Sequence, residues 1–255
     1  MCIRDRAKEQ GIGHYFVPRY TRVVDTAESK DNINKAYNLI STSKVRNEMI
    51  IDDVITCVAR KQTPVILTRF KEHAKFLYDA LKGKADHVFL LYGDNSDKEN
   101  TEIRGRLKQV PGSESLVLVA TGQKIGEGFD FPRLDVLMLA APVSFEGRLE
   151  QYVGRLNRDY VGKEAVYVYD YIDSHVRYFD KMYAKRLRTY RKTGFSIWTQ
   201  ELQPKQIINA IFDSVNYTEK FEQDIVESEK MVVISSPDIR HCLLYTSPSP
   251  RDLST

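Results

Sequence analysis

Short apolar runs alternate along the chain with longer segments whose apolar residues recur every three or four positions. The runs at 64–68 (PVILT), 87–92 (HVFLLY), 116–120 (LVLVA), 136–140 (VLMLA) and 165–171 (AVYVYDY) predict strands. They are short, rich in β-branched and aromatic residues, and mostly continuous rather than alternating, as in strands buried on both faces. Residues 70–81, 96–109 and 147–159 between them predict helices. Ser96 and Glu99 have the spacing of a capping box. Lys82-Gly83 reads as a helix stop. Strands separated by helices predict crossover connections and a parallel sheet covered on both sides.

The flanks are less regular. Residues 13–25 read as an extended or hairpin-like leading segment, and Pro18 argues for an edge strand or a linker. Helices are expected at 30–43 and, with a broader apolar face through Val45, Met49, Val54, Ile55 and Val58, at 45–59. Asp52 and Asp53 on that helix read as exposed acids rather than a magnesium site. Residues 173–193 predict a long helix with Val176, Phe179, Tyr183, Leu187 and Tyr190 on its buried face. Lys181, Lys185, Arg186, Arg188, Arg191 and Lys192 dominate the remainder, as a solvated face or as a track for phosphates. Residues 195–204 look like a linker. Residues 221–236 read as a helix end followed by a strand at 231–234, the start of a second α/β unit.

Composition narrows this picture. In 255 residues, 42% hydrophobic content supports a real core, and a formal net charge of +3 means that any nucleic-acid surface must be local. No apolar run reaches the roughly 18 residues of a membrane span, so no membrane partner is expected and a cytoplasmic location is. The ends, MCIRDR (1–6) and CLLYTSPSPRDLST (242–255), resemble translated sequencing-adapter read-through and are expected to be non-native, leaving a fragment of a longer protein. Only Cys57 of the three cysteines would then be genuine, which fits a reducing compartment. The five histidines show no metal-ligand spacing, and no metal site is expected.

The chemistry gathers between residues 116 and 160. Gln151, Gly154, Arg155 and Arg158 have helical spacing and would share one face. Two guanidiniums so placed can grip a polyphosphate through charge-assisted hydrogen bonds, and one could serve as an arginine finger. Behind the run at 116–120 come Thr121, Gly122, Gly126, Glu127, Gly128 and Asp130. Thr121 and the glycine amides suit a nucleic-acid phosphate. Asp130 suits a ribose hydroxyl or an arginine. Thr68 and Arg69 end the first of these strands and could meet a nucleic-acid backbone. Each motif has a plainer reading: surface ion pairs, a glycine-rich turn capped by Asp130, a helix N-cap at Thr68. No GxxxxGK(S/T) phosphate loop and no strand followed by DExx occurs.

Taken in order, these motifs resemble those of the C-terminal RecA-like lobe of superfamily 2 DNA/RNA helicases. Residues 64–81 look like that family's motif IV, 116–132 like motif V and 151–158 like motif VI. The resemblance implies an α/β, RecA-like parallel sheet with helices on both faces, plus a truncated C-terminal α/β start. It divides the chain into an interlobe or end-of-first-lobe segment at 7–43, the helicase lobe at 44–194, and a linker with the start of a truncated domain at 195–241. That last part is similar to the opening of a phospholipase-D-like domain, which accompanies some bacterial DEAD/DEAH-type helicases. By resemblance, Arg158 is the finger, Arg155 a second phosphate or interlobe contact and Gln151 a positioning helper. Gly128 and Asp130 fall on the nucleotide side, and Thr68, Arg69, Thr121 and Gly122 on DNA or RNA. ATP with Mg2+ would be bound mainly by an N-terminal RecA-like lobe that this chain lacks, so the fragment alone is expected to be inactive. The alternative is a non-catalytic RecA-like module that binds nucleic acid or a partner.

Overall fold

A computed structural model describes residues 12–93, 97–122, 130–143, 146–158 and 160–198. Seven strands form one parallel sheet: β1 (Gly13–Tyr20), β2 (Pro64–Thr68), β3 (His87–Leu91), β4 (Leu116–Thr121), β5 (Val136–Leu139), β6 (Ala165–Ile172) and β7 (Ser196–Ile197). Their spatial order is β3-β4-β2-β5-β6-β1-β7. The helices are α1 (Ala27–Asp31), α2 (Ile33–Thr42), α3 (Lys44–Ala59), α4 (Lys71–Leu81), α5 (Asp97–Gln109), α6 (Glu146–Leu156) and α7 (Arg177–Thr193). The RecA-like α/β architecture expected from the sequence is the one observed. The capping-box serine, the truncated start at 195–241 beyond Trp198, and both chain ends lie outside the described residues.

Alternation along the strands builds two cores. Val65 and Leu67 of β2, Leu116, Leu118 and Ala120 of β4, and Val166 and Val168 of β6 face one way, against Leu107 of α5, Leu149, Tyr152, Val153 and Leu156 of α6, and Tyr190 of α7. Ile66, Val117, Val119, Val136, Met138 and Tyr169 face the other way, against Ile50, Val54 and Cys57 of α3 and Ala74, Leu77 and Leu81 of α4. A third cluster joins Ala36, Tyr37 and Ile40 of α2 to Ala141, Val176 and Phe179, beyond the carboxyl ends of β5 and β6. Burial pushes the Cys57 thiol up to about 12, so it packs as an inert apolar group.

The leading segment is extended, one of the readings expected, and its pairing is the new finding. β1 is neither a linker nor a hairpin. It runs parallel to β6 in unbroken register from Gly13↔Ala165 to Tyr20↔Ile172, so it belongs to the lobe's own sheet. β7 pairs with Tyr15 and Phe16, so among the described residues no strand pairs the outer side of β1 at Pro18, where a missing N–H is tolerated.

Three polar or apolar assignments also change. Val45 is exposed, whereas Asp53 is buried and takes hydrogen bonds from Arg19 Nε (2.9 Å) and the Tyr171 hydroxyl (3.1 Å). Arg186 is not on the solvated face of α7. Its guanidinium is buried and bidentate on Asp170 of β6, Nε to Oδ2 at 2.7 Å and Nη2 to Oδ1 at 2.9 Å. The Tyr190 hydroxyl donates to the same carboxylate at 3.1 Å. On the next turn of chain, Asp173 accepts from Arg46 of α3 at 2.9 and 3.1 Å and from the Thr21 hydroxyl at 2.5 Å.

Asp135, just before β5, is a less settled carboxylate. Its Oδ1 accepts the Thr63 N–H at 2.7 Å, yet burial pushes its carboxyl up to about 6; that hydrogen bond and the nearby Lys163 and Arg133 only partly oppose the shift. An acid that holds its proton longer in the fold favours the folded state at low pH, and that stability is lost as pH rises from about 4 through about 6. A shift of about two units corresponds to roughly 3 kcal/mol. We expect Asp135→Asn to match the parent chain in urea unfolding near pH 4 and to exceed it by about 2–3 kcal/mol at pH 7.5. A gap that does not change with pH would contradict the assignment.

Candidate functional site

The carboxyl edge of the sheet brings the expected strand-binding residues together. Thr68 ends β2, Thr121 ends β4, and the two are register partners. Both are buried. The Thr68 hydroxyl donates to the Phe70 carbonyl at 3.2 Å. It is not the N-cap of the following helix, because that position falls to Phe70, which makes no side-chain cap. Thr121 is different. Its Oγ1 is buried and has no hydrogen-bond partner among the described residues. An unsatisfied buried hydroxyl costs about 1–3 kcal/mol, and such groups concentrate where a ligand is meant to complete them. Arg69 is exposed but engaged. Its guanidinium sits 4.3 Å from the centre of the Tyr37 ring, and Nη2 donates to Asn34 Oδ1 at 3.2 Å.

Helix α6 supplies the arginine side. Leu149, Tyr152, Val153 and Leu156 recur at three- and four-residue spacing and bury one face in the core. That orientation turns Gln151 outward and leaves Arg155 half-buried, and both make contacts within the chain. Gly154 shares the helix with these residues. A methyl group at this position would meet nothing within 4 Å, so that face of the helix is open among the described residues.

Arg158 is not on the helix. The sequence spacing placed it on one face with Gln151 and Arg155, but α6 ends at Leu156 and Arg158 lies in the turn beyond. Lys163 is the physical reason. Its ammonium donates to the carbonyls of Leu156 (2.9 Å) and Arg158 (3.0 Å), and on the other side to Leu134 (2.8 Å) and Pro132. A cation at a helix C-terminus satisfies carbonyls that have lost their helical partners and complements the negative end of the dipole. Asn157 helps to fix the turn, its Oδ1 accepting from His14 Nε2 at 2.7 Å. The Arg158 side chain emerges exposed, with Nε 3.6 Å from Asp130 Oδ1. This exposed pair is worth under about 1 kcal/mol, so it orients Arg158 without burying it.

One further contact ties the two motif segments together. The Tyr152 hydroxyl donates to the Gly122 carbonyl at 2.9 Å, immediately after Thr121. Gly122 tolerates this approach because it has no side chain; a Cβ there would stand 2.8 Å from the tyrosine oxygen. Neither Tyr152 nor Lys163 was singled out from the sequence. Tyr152 reads as one more apolar position of an amphipathic helix, and Lys163 as one of many loop lysines. Gly126, Glu127 and Gly128 lie outside the described residues. Among the described residues no group of three or more His, Cys, Asp or Glu side chains could hold a metal ion, and no helix is long and apolar enough to cross a membrane.

The Tyr152–Gly122 contact sets up a double-mutant cycle. Gly122→Ala should cost about 1–2 kcal/mol in urea unfolding, the scale of a lost and partly desolvated hydrogen bond. In a Tyr152→Phe background the same substitution should be nearly neutral, because the next ring atom lies 3.8 Å away. Equal costs in both backgrounds would mean that the contact does not constrain the loop.

No protein-family model matches the chain. Transcript termination protein A18 of Yaba-like disease virus is 28% identical over 138 residues, 52% of this chain and 28% of that protein. Transcript termination protein OPG145 of Vaccinia virus (strain Copenhagen) is 23% identical over 198 residues, 70% of this chain and 40% of its own length. Protein 161L of Invertebrate iridescent virus 6, which carries a provisional helicase name, is 41% identical over 80 residues, 31% of this chain and 16% of that protein. Among solved structures, T4 UvsW shares the fold with a TM-score of 0.57 and 19% identity, over 74% of this chain and 41% of UvsW. The chain thus spans less than half the length of each of these relatives. The likeness to T4 UvsW shows the fold, a RecA-like parallel α/β sheet with helices on both faces.

Proposed function

We propose that this chain is the C-terminal lobe of an ATP-dependent nucleic-acid helicase or translocase, and that it supplies the arginine and strand-binding side of a site completed by another lobe. The observation that carries this reading is the placement of Arg158. It projects from a turn clasped by Lys163, pairs with Asp130 across the two motif segments, and keeps its side chain exposed. An exposed pair contributes little to stability, whereas a residue meant to reach a ligand on another body must be held at the backbone and open at the tip.

The residues present fit one side of a nucleotide. Arg158 and Arg155 suit phosphate oxygens, Gln151 suits a positioning role, and Asp130 suits a ribose hydroxyl, with Gly128 beside it in sequence. ATP with Mg2+, when bound, supplies the phosphoryl transfer that drives stepping. The chain's own part is electrostatic: guanidiniums held in place stabilise charge on the transferring group. The phosphate cradle, which needs a GxxxxGK(S/T) loop absent from these 255 residues, falls to an N-terminal RecA-like lobe. At the sheet edge, the Thr121 hydroxyl, which has no partner among the described residues, and the amide of Gly122 suit one strand of DNA or RNA, with Thr68 and Arg69 alongside. The names of the viral relatives, for transcript termination and for a helicase, fit work on nucleic acid. The rival reading, a non-catalytic RecA-like binding module, draws on the exposed Lys181, Lys185, Arg188, Arg191 and Lys192 of α7, which alone could grip a strand.

In the complete protein, Arg158→Ala should lower strand-stimulated ATP hydrolysis by roughly a thousandfold or more, with the circular dichroism spectrum unchanged. Near-normal turnover would sink the finger assignment. A complete protein that hydrolyses no ATP and has no phosphate loop would favour the binding module.

A further inference from the structure

A cavity of about 660 Å³ opens where α2, α3 and α4 meet, within the usual range of small-molecule sites. Phe70 and Phe76 line it, together with Asn38, Ser41 and Thr42 from the end of α2 and Lys44 from the start of α3. It lies at the carboxyl edge of the sheet, because β2 ends at Thr68 and α4 begins at Lys71. Arg69 is immediately adjacent, its guanidinium 6.0 Å from the centre of the Phe70 ring. The cavity therefore borders the edge where the strand is placed above.

Its chemistry is unusual for plain surface. Phe76 is 50% exposed and lies off the buried face of α4, which is formed by His73, Ala74, Leu77 and Leu81. The exposed Asn38 side-chain amide, a donor and an acceptor together, makes no hydrogen bond among the described residues, and its backbone carbonyl also accepts from the hydroxyls of Ser41 and Thr42 at 2.9 Å each. The charges that line the cavity balance, one carboxylate against the Lys44 ammonium. Glu72 lines it, and His73 is held neutral, its pKa lowered to about 3 by burial and by the Arg46 guanidinium. Lys44 has a side chain 88% exposed, with only a 3.9 Å contact to Glu48, and is the cation available to a phosphate just outside.

From this arrangement we infer that the cavity receives one unstacked nucleobase of the bound strand, stacked on Phe76 and met at its edge by the Asn38 amide. A flat, neutral heterocycle with donors and acceptors on its rim matches an exposed aromatic face, an unpaired amide and an absence of net positive charge inside. Lys44 and Arg69 then flank the base from the backbone side. Recognition of splayed bases by aromatic stacking and amide contacts is how single strands are generally held without a duplex groove. This inference rests on the nucleic-acid reading and adds a base contact to what would otherwise be backbone binding alone.

The test is fluorescence anisotropy of the complete protein, this lobe together with the rest of its chain, with labelled dT12 and rU12, alongside the same oligonucleotides made with abasic sites. Phe76→Ala should weaken binding to the intact strands by roughly 5- to 100-fold, the range for loss of one base–aromatic stack. Phe76→Tyr should stay within about twofold, and the abasic strands should bind wild type and Phe76→Ala alike. Unchanged binding of Phe76→Ala to intact strands, or equal losses on intact and abasic strands, overturns the base pocket while leaving strand binding in place. Failure of the wild-type protein to bind either strand overturns the nucleic-acid reading and the pocket with it. Phe76 is half-exposed, so its replacement should leave the fold intact, as circular dichroism would verify.

Discussion

The Lys163 ammonium is the interaction on which the geometry of the site depends. It stands half-buried among carbonyls from two segments that are distant in sequence, Leu156 and Arg158 on one side and Pro132 and Leu134 on the other. Those carbonyls would otherwise face each other unpaired where a helix ends. By satisfying both sets, Lys163 decides that α6 stops at Leu156, that Arg158 leaves from a turn, and that the turn abuts the segment after the glycine-rich loop. Tyr152 adds a second tie one helical turn back, through the Gly122 carbonyl. The described segments on either side, Gly122 and Pro132–Leu134, are thus tied to the helix and turn that carry Arg155 and Arg158.

This piece rests on a frame set by two buried ion pairs at the end of β6. Asp170 anchors α7 through Arg186 and Tyr190, and the same guanidinium donates to the Val143 carbonyl at 3.1 Å. Asp173 anchors α3 through Arg46. Buried pairs gain little net stability over apolar packing, but removing one partner typically costs about 3–5 kcal/mol. Their effect is on specificity: each carboxylate admits one helix in one position. Because α7 then packs against α6, with Lys192 3.7 Å from Glu150, the frame reaches the arginine segment.

The sheet was legible because buried parallel strands declare themselves locally. All five apolar runs became strands with bounds shifted by a residue or so, and Gly83 takes the left-handed conformation that its position as a helix stop implies. What the sequence hid lay in long-range pairings. Arg186 and Asp53 read as solvated charges, because nothing near them in the chain reveals Asp170 or Arg19. The helix carrying Gln151 and Arg155 seemed to run on through Arg158, because periodicity cannot see a lysine folding back from the next loop. β1 seemed to lie outside the lobe, because its partner β6 comes some 150 residues later. The groups that hold the motif segments in place, Lys163 and Tyr152, were not singled out.

The most direct measurement is a structure of the complete protein trapped with ADP, Mg2+ and a planar phosphoryl mimic such as aluminium fluoride. The account predicts the Arg158 guanidinium within hydrogen-bond distance of the mimic, about 3 Å, with Lys163 still holding the Arg158 carbonyl. A bound nucleotide whose phosphates are met entirely by another lobe, with Arg158 remaining on Asp130, would contradict it.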